Sequence, residues 1–243
     1  MGPAANRTEA RIGRTPRGRY HLGLTPNAII DAAVELSQGR GIAGWTLRDL
    51  AQDLEVAPSV LYHHVGGKEK LRRHVVERVL STVDFPTTVM PWREWFRAAL
   101  YPARAELARY PGTAKWLLLH GPVFPSMAPV VDAGVASLQQ AGFARDTVPA
   151  YTALFNTALM TIAAVDDRLQ HEDEAARDYT ALMRDLSDSA GPSAGVSLIV
   201  RDVMAQFTGS PEAVMAARDG YYRYVLERLM DGLEHSLRGR TAD

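Results

Sequence analysis

Thr46-Leu47-Arg48-Asp49-Leu50-Ala51-Gln52-Asp53-Leu54-Glu55-Val56 is followed closely by Pro58-Ser59-Val60-Leu61-Tyr62-His63-His64-Val65-Gly66-Gly67-Lys68-Glu69-Lys70-Leu71. Leu47, Leu50, Ala51 and Leu54 recur at helical spacing over two turns. Thr46 supplies a capping hydroxyl, and Asp49 three residues on supplies the reciprocal carboxylate of a capping box. A break at Glu55-Val56 separates this helix from a third, Pro58 to His64, with Leu61 and Val65 directed inward and Gly66-Gly67 ending it. Two short helices joined by a tight turn make a helix-turn-helix. Such a pair braces its first helix across a DNA backbone and sets the N-terminal residues of its second against base edges in the major groove.

The flanking sequence completes a compact front domain of three or four helices over residues 24–84. Thr25-Pro26 reads as an N-cap followed by proline at the first helical position. Ile29, Ala32, Ala33 and Leu36 form one apolar face, and Gly39 and Gly41 end the helix. A fourth helix starts near Lys68, carries Val76, Val79, Leu80 and Val83, and stops before Pro86. Residues 1–23 are rich in Arg, Gly and Pro without apolar periodicity, which predicts a flexible basic arm. The net charge of −1 divides into +4 over residues 1–83 and −5 over residues 84–243, so the front is suited to a polyanion.

These residues resemble the TetR family of repressors, most closely from Thr25 to Val83: a capped short helix, then Leu61-Tyr62-His63-His64-Val65, two turn residues and Lys68 before the next helix. The resemblance implies that Pro58 and Ser59 open the recognition helix. Tyr62 and His64 then reach phosphates or base edges, Lys68 holds a phosphate, and Thr46 and Arg48 lie against the backbone near the bracing helix. Glu55 departs from the family, many of whose members have glycine in the turn. A left-handed backbone there costs a non-glycine residue about 1 kcal/mol. The segment Ala57–Tyr62 offers no Arg, Lys, Asn or Gln for bidentate base contacts. Methyl contacts through Pro58 or Val60, Ser59 hydrogen bonding and DNA shape are the means of discrimination expected, with minor-groove contacts by the arginine-rich arm in addition.

Residues 85–243 read as a larger all-α domain for effector binding and dimerisation. A helix from Trp92-x-x-Trp95-Phe96 runs to Tyr110-Pro111-Gly112, with shorter segments at Ala114–Leu119 and Met127–Gln140. Thr147–Gln170 is apolar on most of its circumference, and Pro211–Leu237 carries a wide apolar face. By resemblance these two helices form a four-helix bundle across the two-fold axis of a homodimer. Residues 171–195 suggest a mobile excursion with a short helix near Tyr179–Leu186, followed by a helix over Val196–Phe207. Trp95, Phe96, Arg104, Trp116, His120, Met127, Phe155, Asn156 and Met160 are candidates for an effector pocket, apolar with a few polar anchors. The tail resembles the tetracycline-repressor subgroup only loosely, and that subgroup's drug-binding polar set is not recognisable at matching places. The effector expected is therefore a small apolar or aromatic molecule.

Other chemistries find little footing. The absence of cysteine excludes disulfides, thiolate metal sites and a cysteine nucleophile. Gly191-Pro192-Ser193-Ala194-Gly195 spells a nucleophile elbow but lacks the strand that must precede one. His171-Glu172-Asp173-Glu174 fits no metal-ligand spacing, so neither metal nor cofactor is expected. No apolar run reaches the ~18 residues of a membrane span, and no secretory signal is present. These readings point to a cytoplasmic, ligand-responsive DNA-binding repressor that is not an enzyme. The alternative is a helical small-molecule-binding or catalytic protein that has lost DNA binding.

Overall fold

The computed structural model describes residues 24–122, 124–170, 175–189, 193–204, 206 and 209–240. Among them are eleven α-helices and no strand. The basic arm 1–23 and the acidic segment 171–174 lie outside the described residues.

Four helices build the front: α1 (Pro26–Arg40), α2 (Leu47–Asp53), α3 (Pro58–Val65) and α4 (Lys68–Leu80). Thr25 caps α1 by accepting from Ala28 N at 3.1 Å. Gln38 and Gly39 leave helical geometry, so the regular part of α1 ends where the glycine reading places it. Ile29, Ala33, Leu50, Ala51, Leu61, Leu71, Val75, Val76 and Val79 form a closed core between these helices. Val83 lies beyond the end of α4 but is still buried, in the turn that leads to the rear.

The rear comprises α5 (Trp92–Ala108), α6 (Thr113–His120), α7 (Ala128–Gln140), α8 (Thr147–Gln170), α9 (Ala175–Ser189), α10 (Ala194–Met204) and α11 (Pro211–Arg240). Helix α8 is the axis, packed by α5, α6, α7 and α11. One glycine makes a close approach possible: a Cβ on Gly134 of α7 would lie 2.6 Å from the Trp95 ring, inside its van der Waals envelope. Helix α5 continues through Pro102, which lacks the N–H that would bond Ala98 O. Arg93 and Arg97 of α5 reach Glu227 of α11 at 3.0 and 2.7 Å, and Arg93 also reaches Asp231 and Glu234 at 2.7 Å. Paired in this way, Glu227 has its carboxyl pulled down to about 2, chiefly by Arg97.

Two expectations need correction. Helix α9 spans 15 residues, twice the short helix read near Tyr179–Leu186; its polar, acidic surroundings masked its length. Ala144–Leu169 is long and apolar enough to cross a membrane, contrary to the reading that no run qualifies. It nevertheless buries Leu154, Ala158, Ile162 and Asp166 against its neighbours, as the core helix of a helical bundle does.

Candidate DNA-reading and effector sites

The capping box at the start of α2 is complete. Asp49 N donates to Thr46 Oγ1 at 3.2 Å, while Thr46 N and Thr46 Oγ1 donate to Asp49 Oδ2 at 2.7 and 2.8 Å. These bonds hold the Asp49 carboxyl below the usual carboxylate range. Thr46 is exposed, but both its protons are committed to Asp49, so its first role is to start α2. Arg48, also exposed, has no ion-pair partner among the described residues.

Leu54 ends α2, and Glu55 adopts φ +52°, the left-handed conformation that glycine would accept without strain. The turn therefore stores the strain that the departure at Glu55 implies. Helix α3 then presents Pro58, Ser59, Tyr62, His63 and His64 to solvent, while Leu61 and Val65 lock it to the core. Val60 is half-buried. No side chain caps the start of α3; Pro58 has no N–H and Val60 N donates to Ala57 O at 2.9 Å, which leaves the Ser59 N–H for an acceptor such as a phosphate. Tyr62 is 58% exposed, an unusual setting for an aromatic ring unless something covers it.

Lys68 lies half-buried at the start of α4. Its ammonium donates to Ala43 O at 3.4 Å and lies 5.3 Å from the Trp45 ring centroid. Burial lowers its pKa below the usual lysine value, and Arg72 adds to the effect. Lys68 thus ties α4 to the α1–α2 loop as well as carrying charge at the α3–α4 junction. Sequence reasoning missed the partner of that tie. Trp45 is buried and donates its Nε1 proton to Ser37 Oγ at 2.7 Å, and Ser37 Oγ donates to Ala33 O at 2.7 Å.

In the rear, an apolar cavity of about 240 Å³ opens between α5, α6, α8 and α11. Leu100, Ala103 and Leu107 come from α5, Leu117 and Leu118 from α6, and Tyr222 from α11. Helix α8 contributes Tyr151, Thr152, Phe155, Asn156, Ala158, Leu159 and Ile162, and Met127 closes one side. Leu80, the last residue of α4, also lines it, so the cavity touches the helix that leads out of the front domain.

Of the pocket candidates, Met127, Phe155 and Asn156 come together on this cavity. The other six do not line it. Trp95 and Phe96 are core residues, edge to face at 4.9 Å, and both pack on Tyr151 and Phe155. Arg104 pairs with Asp219 of α11 and lies 5.7 Å from the Tyr222 ring. Trp116 stacks on His120 at 4.3 Å, with His120 exposed. Met160 is 61% exposed and lies in a separate groove with Val203 and Tyr221. The aliphatic lining was not foreseen, because leucines facing a cavity have the same helical spacing as leucines facing a core.

One decoy of the sequence can be placed. Ser193 accepts from Val196 N at 3.4 Å at the head of α10, a helix cap where the elbow motif would put a nucleophile. Among the described residues no cluster of three metal-ligating side chains occurs, and His171–Glu174 lie outside them.

Comparison with known proteins agrees with this architecture. Residues 29–75 match the family model for bacterial regulatory proteins of the tetR family. The tetracycline repressor protein class A from transposon 1721 of Escherichia coli is 30% identical over 195 residues, covering 73% of this chain and 89% of that protein. An HTH-type transcriptional regulator of Saccharopolyspora erythraea is 29% identical over 154 residues, 63% of this chain and 65% of that relative's length. The fold matches the crystal structure of the Streptomyces coelicolor TetR family protein ActR in complex with actinorhodin, with a TM-score of 0.63 at 18% identity over 88% of this chain and 97% of that one. A helix-turn-helix with an exposed second helix, carried on a helical body of this length and similarity, has one reading: the chain belongs to the tetR family of bacterial regulatory proteins and is a DNA-binding transcriptional regulator.

Proposed function

We propose that this chain is a cytoplasmic homodimeric repressor, released from its operator by a small apolar or aromatic effector, and that it is not an enzyme. The observation that carries the proposal is Leu80, which ends α4 and lines the rear cavity. Through it, occupancy of the cavity bears on the helix that follows the DNA-reading pair. A ligand that prefers one setting of α4 biases the spacing of two recognition helices, and DNA biases it in return.

The DNA contacts proposed are Ser59, Tyr62, His64 and Lys68 at the recognition helix, with Pro58 and Val60 against base methyls and Thr46 and Arg48 near the backbone. The dimer proposed uses α8 and α11, supported by exposed Val148 and Met160 on α8 and Met215, Tyr221 and Tyr224 on α11. Such exposed apolar side chains are more than a solvated helix needs. Two copies would place their recognition helices about 34–36 Å apart, one turn of duplex. The rival reading, a protein that has lost DNA binding, is not favoured by relatives described as transcriptional regulators.

Selection of duplexes from a random pool by the full-length chain tests this. The expected result is a palindromic site whose half-sites are one helical turn apart, bound with a steep loss of affinity as salt rises. Failure to enrich any sequence would contradict the proposal.

A further inference from the structure

The cavity's chemistry defines its ligand more narrowly than the word apolar does. Among the described residues no Asp, Glu, His, Lys or Arg lines it. An ion placed there would lose its hydration without gaining a counter-charge, and buried charges without partners are strongly disfavoured. The Arg104 guanidinium does not line the cavity and is engaged by Asp219.

The polar atoms that do line the cavity are few. Tyr222 has its hydroxyl occupied, donating to Leu100 O at 2.9 Å. Tyr151, Thr152 and Asn156 have side-chain polar groups with no hydrogen-bond partner among the described residues. All three belong to one stretch of α8, and Thr152 and Asn156, four residues apart on one helical face, are exposed at the mouth. Burial raises the Tyr151 phenol pKa, so its proton stays on and is available to donate. The base is therefore apolar and the rim offers neutral hydrogen-bonding groups.

Size adds a bound. An apolar cavity of about 150 Å³ accommodates benzene. One of about 240 Å³ accordingly holds a fused bicyclic body.

We infer that this cavity takes an uncharged, bicyclic-sized apolar molecule with a neutral oxygen directed to the Tyr151–Asn156 edge. This deepens the effector reading above and rests on it. Carboxylates and ammonium compounds of the same shape are excluded.

A pair of matched probes tests the inference. 2-Acetonaphthone and 2-naphthoate share one ring system and nearly one shape and differ in charge. With the full-length dimer, isothermal titration should show the ketone binding at least tenfold tighter than the carboxylate. Asn156→Leu, at the exposed rim, should reduce the ketone's affinity relative to that of naphthalene several-fold. Ala158→Phe should abolish binding of both neutral probes, with its melting curve confirming that it folds. Equal or tighter binding of 2-naphthoate would overturn the inference, as would no ketone binding up to its solubility limit. Operator affinity measured on the same preparation separates the two levels. A chain that binds DNA but not the ketone loses this inference alone, whereas one that binds the ketone but no DNA loses the regulator reading.

Discussion

Asp166, buried in α8, accepts a hydrogen bond from Gly112 N at 3.1 Å, and so clamps the turn between α5 and α6 from beneath. The same turn supports the front domain. Ile42 N donates to Pro111 O at 2.9 Å, and Gly39 N donates to Arg109 O at 3.3 Å. One carboxylate on the rear axis therefore holds the ledge on which the α1–α2 loop rests. Lys115 on α6 pairs with the adjacent Asp167 at 2.8 Å and reinforces the clamp from the outside.

The clamp has a pH signature. Burial raises the Asp166 carboxyl from 3.8 to about 6; the Gly112 N–H opposes the shift, Asp167 adds to it and Arg218 opposes it. The raised value means that the fold prefers the protonated acid. Its contribution to stability is fully present below about pH 3.8 and is lost as pH rises through about 6. The full difference corresponds to roughly 3 kcal/mol. Asp166→Asn keeps an acceptor for Gly112 N without the buried charge. Its Tm should exceed that of the parent at pH 8, and the gap should narrow towards pH 5. A gap independent of pH would contradict this.

The left-handed turn makes a second prediction. Glu55→Gly removes the strain at φ +52°, worth about 1 kcal/mol after the extra chain entropy of glycine is subtracted. The urea midpoint should rise at unchanged slope. Removing a carboxylate from the face proposed to meet phosphates should also tighten DNA binding at low salt. A lowered midpoint would show that Glu55 makes a compensating contact.

Trp45 is expected to anchor the reading head. Trp45→Phe removes the donor to Ser37 Oγ and weakens the contact under Lys68, at a cost of about 1–3 kcal/mol. In a double-mutant cycle with Ser37→Ala, the two losses should fall short of additivity by about 1 kcal/mol. Strict additivity would mean that the indole–hydroxyl bond contributes nothing.

The front domain was legible because its signals are local. The Thr25 and Thr46 caps, the Asp49 return bond and the glycines after α1 and α3 act within four residues, so spacing alone reveals them. The rear was legible as helices but not as a cavity. Trp95 and Phe96 look like lining residues in sequence, yet they fill the space behind Tyr151 and Phe155. Arg104 looks like a ligand anchor until Asp219, 115 residues away, comes against it. The sites that tertiary packing decides, Leu80 on the cavity and Gly112 on Asp166, had no sequence-local signal.

The central claim is that α3 and the start of α4 read a duplex. The most direct measurement is fluorescence anisotropy of the selected operator with the parent chain and with the triple variant Tyr62→Phe, His64→Gln, Lys68→Met. Thermal melting of both proteins provides the control, since Lys68 also rests against Trp45. The account predicts at least a hundredfold loss of affinity and a salt slope shallower by about one for each phosphate contact removed, in a variant that still melts cooperatively. Unchanged affinity and salt slope in that folded variant would contradict it.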